Sequence, residues 1–256
     1  MRQHLMVSLI LISMTAFGQT VKEMNPVLGV LIDKSPEKEI EFIENKKKCE
    51  VILKKINNQA DFNKKLTNEE KILLENYSEG KESSWDIFGL GCSWYCGGGA
   101  DTISASSYLK SFNGINYFPK NIHDLSYQTA WVEGVSGDGI GEYITYHFPP
   151  ENPRITKIIV VNGYVKSLQT WKNNSRVKKL KMYIDNKPFA ILNLADSRQE
   201  QSFKFDPIGY GDRKDWKKLK AKPWWTIRFE IMEVYQGDKY DDTAITQIYF
   251  DGIDVH

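Results

Sequence analysis

The sequence predicts an antiparallel β-sandwich of jelly-roll type behind a short, charged helical segment. Three observations carry this reading. From about residue 85 onward, short stretches of alternating apolar and polar residues follow one another. Gly, Asn, Asp and Pro separate them, and no helical pattern intervenes. Aromatic residues make up 12% of the chain, and such side chains favour strands. Between about residues 34 and 80 the apolar positions recur at helical spacing among Lys and Glu instead. The predicted organisation is a leader over 1–19, a helical segment over 20–84 and a sandwich domain over 85–256.

The leader reading rests on Arg2 before an apolar run over residues 5–17. Ala16 and Gly18 are the small residues that a signal peptidase prefers, so cleavage is expected after Gly18 or Gln19. The expected destination is the exterior or the periplasm. No other stretch is long and apolar enough to predict a membrane span. The first helix is predicted to start at Ser35-Pro36-Glu37, with Pro in the first turn and acid at the positive end of the dipole. Ile40, Phe42, Ile43, Cys49, Ile52, Leu53 and Ile56 supply its apolar positions. Thr67-Asn68-Glu69-Glu70 reads as a capping box opening a second helix with Ile72, Leu73 and Leu74. The lysines here read as a solvated face.

Strands are predicted at 155–161, which runs into the turn dipeptide Asn162-Gly163, and around Leu180, Met182 and Ile184. Further strands follow at Phe203 and Phe205, at Trp225, Ile227, Phe229 and Ile231, and at 245–250. Cys92 and Cys96 flank three residues and allow either a small disulfide loop or two buried thiols, with Cys49 left over. No second Cys/His pair has zinc spacing.

The 34 Lys and Arg balance 33 Asp and Glu, which argues against a nucleic-acid partner held by counterion release. The most informative stretch is 121–134. Asp124 and Thr129 place hard oxygen donors at the two ends of a tight loop, a geometry calcium accepts, and Trp131 is set to anchor the loop in a core. The alternative is that Asp124 caps its own turn. Glu133, Asp138 and Glu142 surround a Gly-rich run. They read as turn or rim residues, or as a glycosidase pair of Glu133 and Glu142. Asp238, Asp241 and Asp242 read as turn chemistry or a second calcium loop. Gly97-Gly98-Gly99 is not a phosphate loop, because no Lys-Ser/Thr and no helix follow it.

Asp124, Thr129 and Trp131 together resemble the Asp-Gly-Asn-x-x-Thr-x-Trp element of the discoidin, or coagulation-factor type C, superfamily. Ala105-Ser106-Ser107, Asn174-Ser175-Arg176-Val177 and Ala244-Ile245-Thr246-Gln247-Ile248 resemble three more of its elements. A narrower resemblance rests on Thr129-Ala130-Trp131-Val132-Glu133-Gly134, Gly139-Ile140-Gly141-Glu142, Asn162-Gly163-Tyr164 and the run from Tyr235 to Thr243. These are similar to the glycan-binding, translocation-associated domain of bacterial NAD glycohydrolase toxins, over about residues 90–252. The resemblance implies a galactose-binding-like jelly roll that binds glycan. No room is left for the hydrolase domain, so neither its activity nor NAD is expected. It also implies a structural calcium held by Asp124, Thr129 and Gln247 with carbonyls near Ile122 and Ser126. Leu125-Ser126 replaces Gly-Asn, and Gln247 replaces a Glu, which lowers the ligand charge.

A sugar site needs aromatic faces and a few directed polar groups. Trp94, Tyr95, Tyr164 and Trp171 lie in predicted loops and are the candidate faces. Lys166, Asn174 and Arg176 lie where the superfamily places polar contacts, and His123 and Glu133 adjoin the key loops. The predicted function is an exported, non-enzymatic glycan-binding protein. The alternatives are a small hydrolase using Glu133 and Glu142, and an adaptor that meets a protein partner through its helices.

Overall fold

The computed structural model describes residues 21–57, 66–77, 80–87 and 93–255. The leader and Cys92, hence the Cys92–Cys96 pairing, lie outside them. Eleven strands and four α-helices are found among the described residues.

Strands β1 (Lys22–Met24) and β2 (Val27–Leu31) come first, then helices α1 (Pro36–Asn57) and α2 (Asn68–Tyr77). The capping box forms as read. Thr67 N–H donates to Glu70 at 2.9 Å, and Glu70 N–H donates to Thr67 Oγ1 at 3.1 Å. Of the helical apolar set, Phe42, Cys49, Ile52 and Ile56 are buried, while Ile40 and Ile43 face solvent. The buried stripe is narrow because α1 packs mainly on α2, through contacts such as Phe42 on Tyr77 and Cys49 on the Leu73 carbonyl. Glu39 ties the hairpin to the sandwich by accepting from Ser84 N–H at 2.9 Å.

The sandwich follows as β3 (Thr102–Ala105), β4 (Trp131–Val132), β5 (Tyr143–Phe148) and β6 (Ile155–Asn162). Helix α3 (Leu168–Asn173) leads to β7 (Ser175–Ile184), β8 (Lys187–Asn193) and β9 (Gln199–Ile208). Helix α4 (Trp216–Lys220), β10 (Trp225–Tyr235) and β11 (Thr243–Gly252) complete it. Pairing runs β2-β9-β6-β11-β7-β10-β5-β3, with β8 beside β7, β1 beside β8 and β4 beside β11. The β11–β7 contact is a short parallel one, Thr243 to Ser175 and Ala244 to Arg176, and it divides the strands into two layers. Rings cross between the layers: Tyr146 meets Phe250 at 5.0 Å and Phe148 meets it at 5.4 Å.

The alternation in β10 is realised, with Trp225, Ile227, Phe229 and Ile231 all inside. In β11 every residue from Thr243 to Phe250 is buried, because both of its faces are covered. Its outer face lies under Ile32, Ile87 and Tyr127, which form a second small core with Val161 and Tyr249. The helical reading of 20–84 needs a correction here. β1 pairs with β8 and β2 pairs with β9, so this segment contributes two strands to the sandwich edges. Their own pattern is uninformative, since all five residues of β2 are exposed; the open edge of β9 supplies the hydrogen bonds that order it.

Candidate functional site

Three separated loops meet at one end of the sandwich and enclose a cleft of about 670 Å3. The first is a small hairpin in which Phe112 and Ile115 pair across Asn113-Gly114. Both turn residues have positive φ, 48° and 79°, the I′ geometry that Asn-Gly favours. It holds Phe112 out in solvent at 70% exposure. The second wall is Tyr164, Lys166 and α3, which Ser167 caps by accepting from Thr170 N–H at 3.0 Å. Gly163 precedes it with φ 76°, and a Cβ there would strike Arg176 and Trp171. The third wall is the loop before β11. Tyr240 N–H and Asp238 N–H reach the Asn173 and Lys172 carbonyls at 2.8 Å each, and so set Tyr240 and Asp242 against the cleft.

Aromatic surface and unpaired charge coexist in this cleft. Tyr117 lies edge-on to Tyr164 at 6.5 Å. Asp242 is half-buried, and its carboxyl has no hydrogen bond or ion pair among the described residues. Burial pushes its pKa up, and Asp241 pushes it further. Lys166 likewise has no ion-pair partner among the described residues. An unpaired half-buried carboxylate, an ammonium and several ring faces are groups that sugar hydroxyls and a pyranose face complement.

The Asp124 loop lies behind the Tyr164 wall, where the Tyr164 hydroxyl donates to the Gln128 carbonyl at 3.3 Å, at the end of a 3-10 turn (Pro119–His123) against β11. Asp124, Thr129 and Gln247 do come together. Thr129 Oγ1 donates to Asp124 Oδ2, and Gln247 Nε2 donates to Asp124 Oδ1 at 2.7 Å. The backbone carbonyls that join them are those of Asn121, next to Ile122, and of Ser126.

A family model described as the NAD glycohydrolase translocation F5/8 type C domain matches residues 94–251, well over half of the chain. The chain belongs to this family. Among solved structures it is similar to the CBM32-1 and CBM32-2 domains of ZmpB from Clostridium perfringens, at 12% identity and TM-score 0.41, covering 60% of this chain and 34% of that one. It is also similar to CpGH89CBM32-5 from Clostridium perfringens in complex with GalNAc-beta-1,3-galactose, at 13% identity and TM-score 0.41, covering 59% and 94%. A third is the family 32 carbohydrate-binding module of EndoD from Streptococcus pneumoniae, at 11% identity and TM-score 0.40, covering 62% and 99%. The chain spans about a third of the length of the ZmpB pair. No curated protein matches.

Within this F5/8 type C domain the sequence-predicted residues scatter. Tyr164, Lys166 and Asn174 line the cleft. Trp171 stands behind it, with its indole N–H on the Asn162 carbonyl at 3.0 Å. Arg176 is 7% exposed and stacks on Trp171 at 4.7 Å. It grips Asp196 with two bonds of 2.9 and 3.0 Å and gives its remaining nitrogen to backbone carbonyls, so its donors are already spent within the fold. Trp94 is 3% exposed and packs on Phe250, so it is a core residue rather than a sugar face. Tyr95 supports the same core, its hydroxyl accepting from Phe250 N–H at 2.9 Å. Both border a second, smaller cleft in which Lys157 and Asp251 pair with each other.

His123 is also drawn inward. Its Nδ1–H donates to the Ile248 carbonyl at 2.8 Å, and burial lowers its pKa, so it stays neutral among Tyr95, Tyr146 and Phe250. Glu133 is fully buried and takes the N–H groups of Thr243 and Val135 at 3.1 and 2.9 Å. Glu142 accepts from Ser106 and Ser107, and Asp138 from Gln236. These carboxylates brace loops, and none of the three lines the cleft. The residues that sequence reasoning missed are Phe112, Tyr117 and Tyr240, with Asp242 read only as a turn or calcium residue. The Asn113-Gly114 dipeptide was the available signal for the hairpin. As a check on the Tyr95 placement, Tyr95→Phe is expected to cost about 1 kcal/mol, or about 3 °C in Tm, and to leave ligand capture unchanged.

Proposed function

We propose that this domain is an exported, non-enzymatic glycan-binding module that takes a saccharide in the cleft between the Phe112 hairpin and α3. The observation that carries the reading is the cleft's content: exposed Phe112 and Tyr240 with the half-buried Tyr117, on a floor formed by the buried Tyr164, beside the unpaired Asp242 and Lys166. The rings suit the apolar face of a sugar, and the two charges suit its hydroxyls. Binding without turnover is supported by Glu133 and Glu142, since both are committed to holding loops. Export is supported by Arg2 and the apolar run after it. No helix among the described residues is long and apolar enough to cross a membrane.

The test is a glycan array probed with the purified protein and with Phe112→Ala. Specific capture is expected, weakened about 10-fold by the variant because a stacked ring is lost at an exposed site that folding does not need. A blank array on well-folded protein overturns the reading. It would move the search for a ligand to the α1–α2 hairpin, where Ile40, Val51 and Ile72 lie open to a protein partner.

A further inference from the structure

We infer that the side-chain amide of Gln247 stands where a structural calcium would otherwise sit, so the Asp124 loop is closed without a metal. The inference does not depend on the glycan reading. Three oxygens converge on Gln247 Nε2: the Asn121 carbonyl at 2.7 Å, Asp124 Oδ1 at 2.7 Å and the Ser126 carbonyl at 2.9 Å. Gln247 is fully buried in β11, where its backbone is fixed opposite Val161. Its Oε1 points the other way and accepts from Leu125 N–H at 3.1 Å. That contact settles the orientation of the amide. Flipped, Nε2 would face the Leu125 N–H donor to donor, and an oxygen would face three oxygens.

The donor set does not fit calcium. The ion takes six to eight oxygens and prefers several carboxylates. Here Asp124 is the one carboxylate at the hub, and its Oδ2 accepts from Thr129 Oγ1. The group contributed by β11 to the centre is a hydrogen-bond donor. An amide carries two hydrogens in a plane, so two of the three oxygens take direct bonds and the third shares one. The hub holds three acceptors together as a cation does, but through hydrogen bonds. Leu125, at φ 60°, is the residue whose backbone turns to present its N–H to Gln247, which makes the loop and the amide a matched pair.

The oxygens remain suitably converged, and this gives a gain-of-function test. In Gln247→Glu the central donor becomes an acceptor, so four oxygens repel one another until a divalent cation enters. Thermal unfolding is followed for the wild type, Gln247→Glu and Gln247→Leu, each in millimolar calcium and in excess chelator. The wild type is expected to melt at the same temperature in both. Gln247→Glu should melt several degrees lower in chelator and recover on adding calcium, with saturable heat in a calcium titration. Gln247→Leu, which removes the hub without adding charge, should lose stability equally in both conditions. A wild-type Tm that rises with calcium and falls with chelator overturns the inference, as does rescue of Gln247→Leu by calcium. A Gln247→Glu protein that stays folded in chelator and ignores calcium also overturns it, because the oxygens then do not form a cage. If Gln247→Glu folds only when calcium is present, the inference stands.

Discussion

Glu133→Ala is expected to lower Tm by about 10 °C, the largest single stability loss among the loop carboxylates. Its two oxygens accept from Thr243 N–H at the start of β11 and from Val135 N–H within the Gly-rich turn, and so tie the turn to the strand. Truncation leaves both donors without a partner in a place where the side chain is fully buried. Each abandoned donor costs about 1–3 kcal/mol, partly offset by removing a carboxylate that burial penalises. A net loss of about 3 kcal/mol converts to about 10 °C for a domain of this size. Packing adds to this, because Gly139 closes on the Glu133 stem so tightly that a Cβ there would overlap it. Glu133→Gln should fall between the two, since one oxygen is replaced by a nitrogen that faces an N–H. Scanning calorimetry reads both. The same pair separates loop bracing from hydrolysis: a catalytic Glu133 would tolerate Gln in Tm and lose turnover, whereas a bracing Glu133 loses Tm. An unchanged melting point in Glu133→Ala would overturn this account.

The parts of the fold legible in the sequence are those where one face of one element decides burial. β10 alternates because a single face meets the core, and Thr67 with Glu70 marks a helix start through purely local bonds. β1 and β2 were not legible because their order is supplied by the edges of β8 and β9, and nothing in three or five residues records that. The site divides along the same line. Tyr164, Lys166 and Asn174 belong to one continuous stretch and were found. Phe112, Tyr117, Tyr240 and Asp242 come from two other loops, brought alongside only by bonds such as Tyr240 N–H to the Asn173 carbonyl. Trp94 and Arg176 misled for the opposite reason. Loop position suggests exposure for Trp94, and the resemblance suggests a sugar contact for Arg176, yet Trp94 folds back on Phe250 and Arg176 on Asp196. The Asp124 loop was legible as a cluster. Its polarity was not, because whether Gln247 offers its oxygen or its nitrogen depends on the Leu125 N–H.

Asp242→Asn is expected to weaken saccharide capture by about 10–100-fold while leaving Tm at neutral pH unchanged or slightly raised. A charge-assisted hydrogen bond to a hydroxyl contributes about 1.5–3 kcal/mol, and the amide keeps the shape but gives up the charge. The stability half follows from the direction of the pKa. Burial and Asp241 hold the folded pKa above the usual carboxylate value, so the folded state keeps this proton to higher pH than the unfolded chain does. Between the unfolded and the folded pKa, stability therefore declines as pH rises, and above both the ionised group is a standing cost. Asn does not ionise and escapes that cost. Binding runs the other way. The wild type should lose affinity as pH falls through the folded pKa, while the variant's weaker affinity stays flat across that window. Titration calorimetry with a glycan captured on the array, repeated from neutral to acid pH, reads the affinity, and thermal melts in the same buffers read the stability. A carboxylate kept unpaired in a half-buried cleft at a cost to the fold is expected where a ligand supplies the missing donors. If Asp242→Asn were to melt lower and bind equally well, Asp242 would be bracing its loop as Glu133 does, and the ligand contacts would have to lie with Lys166 and the rings.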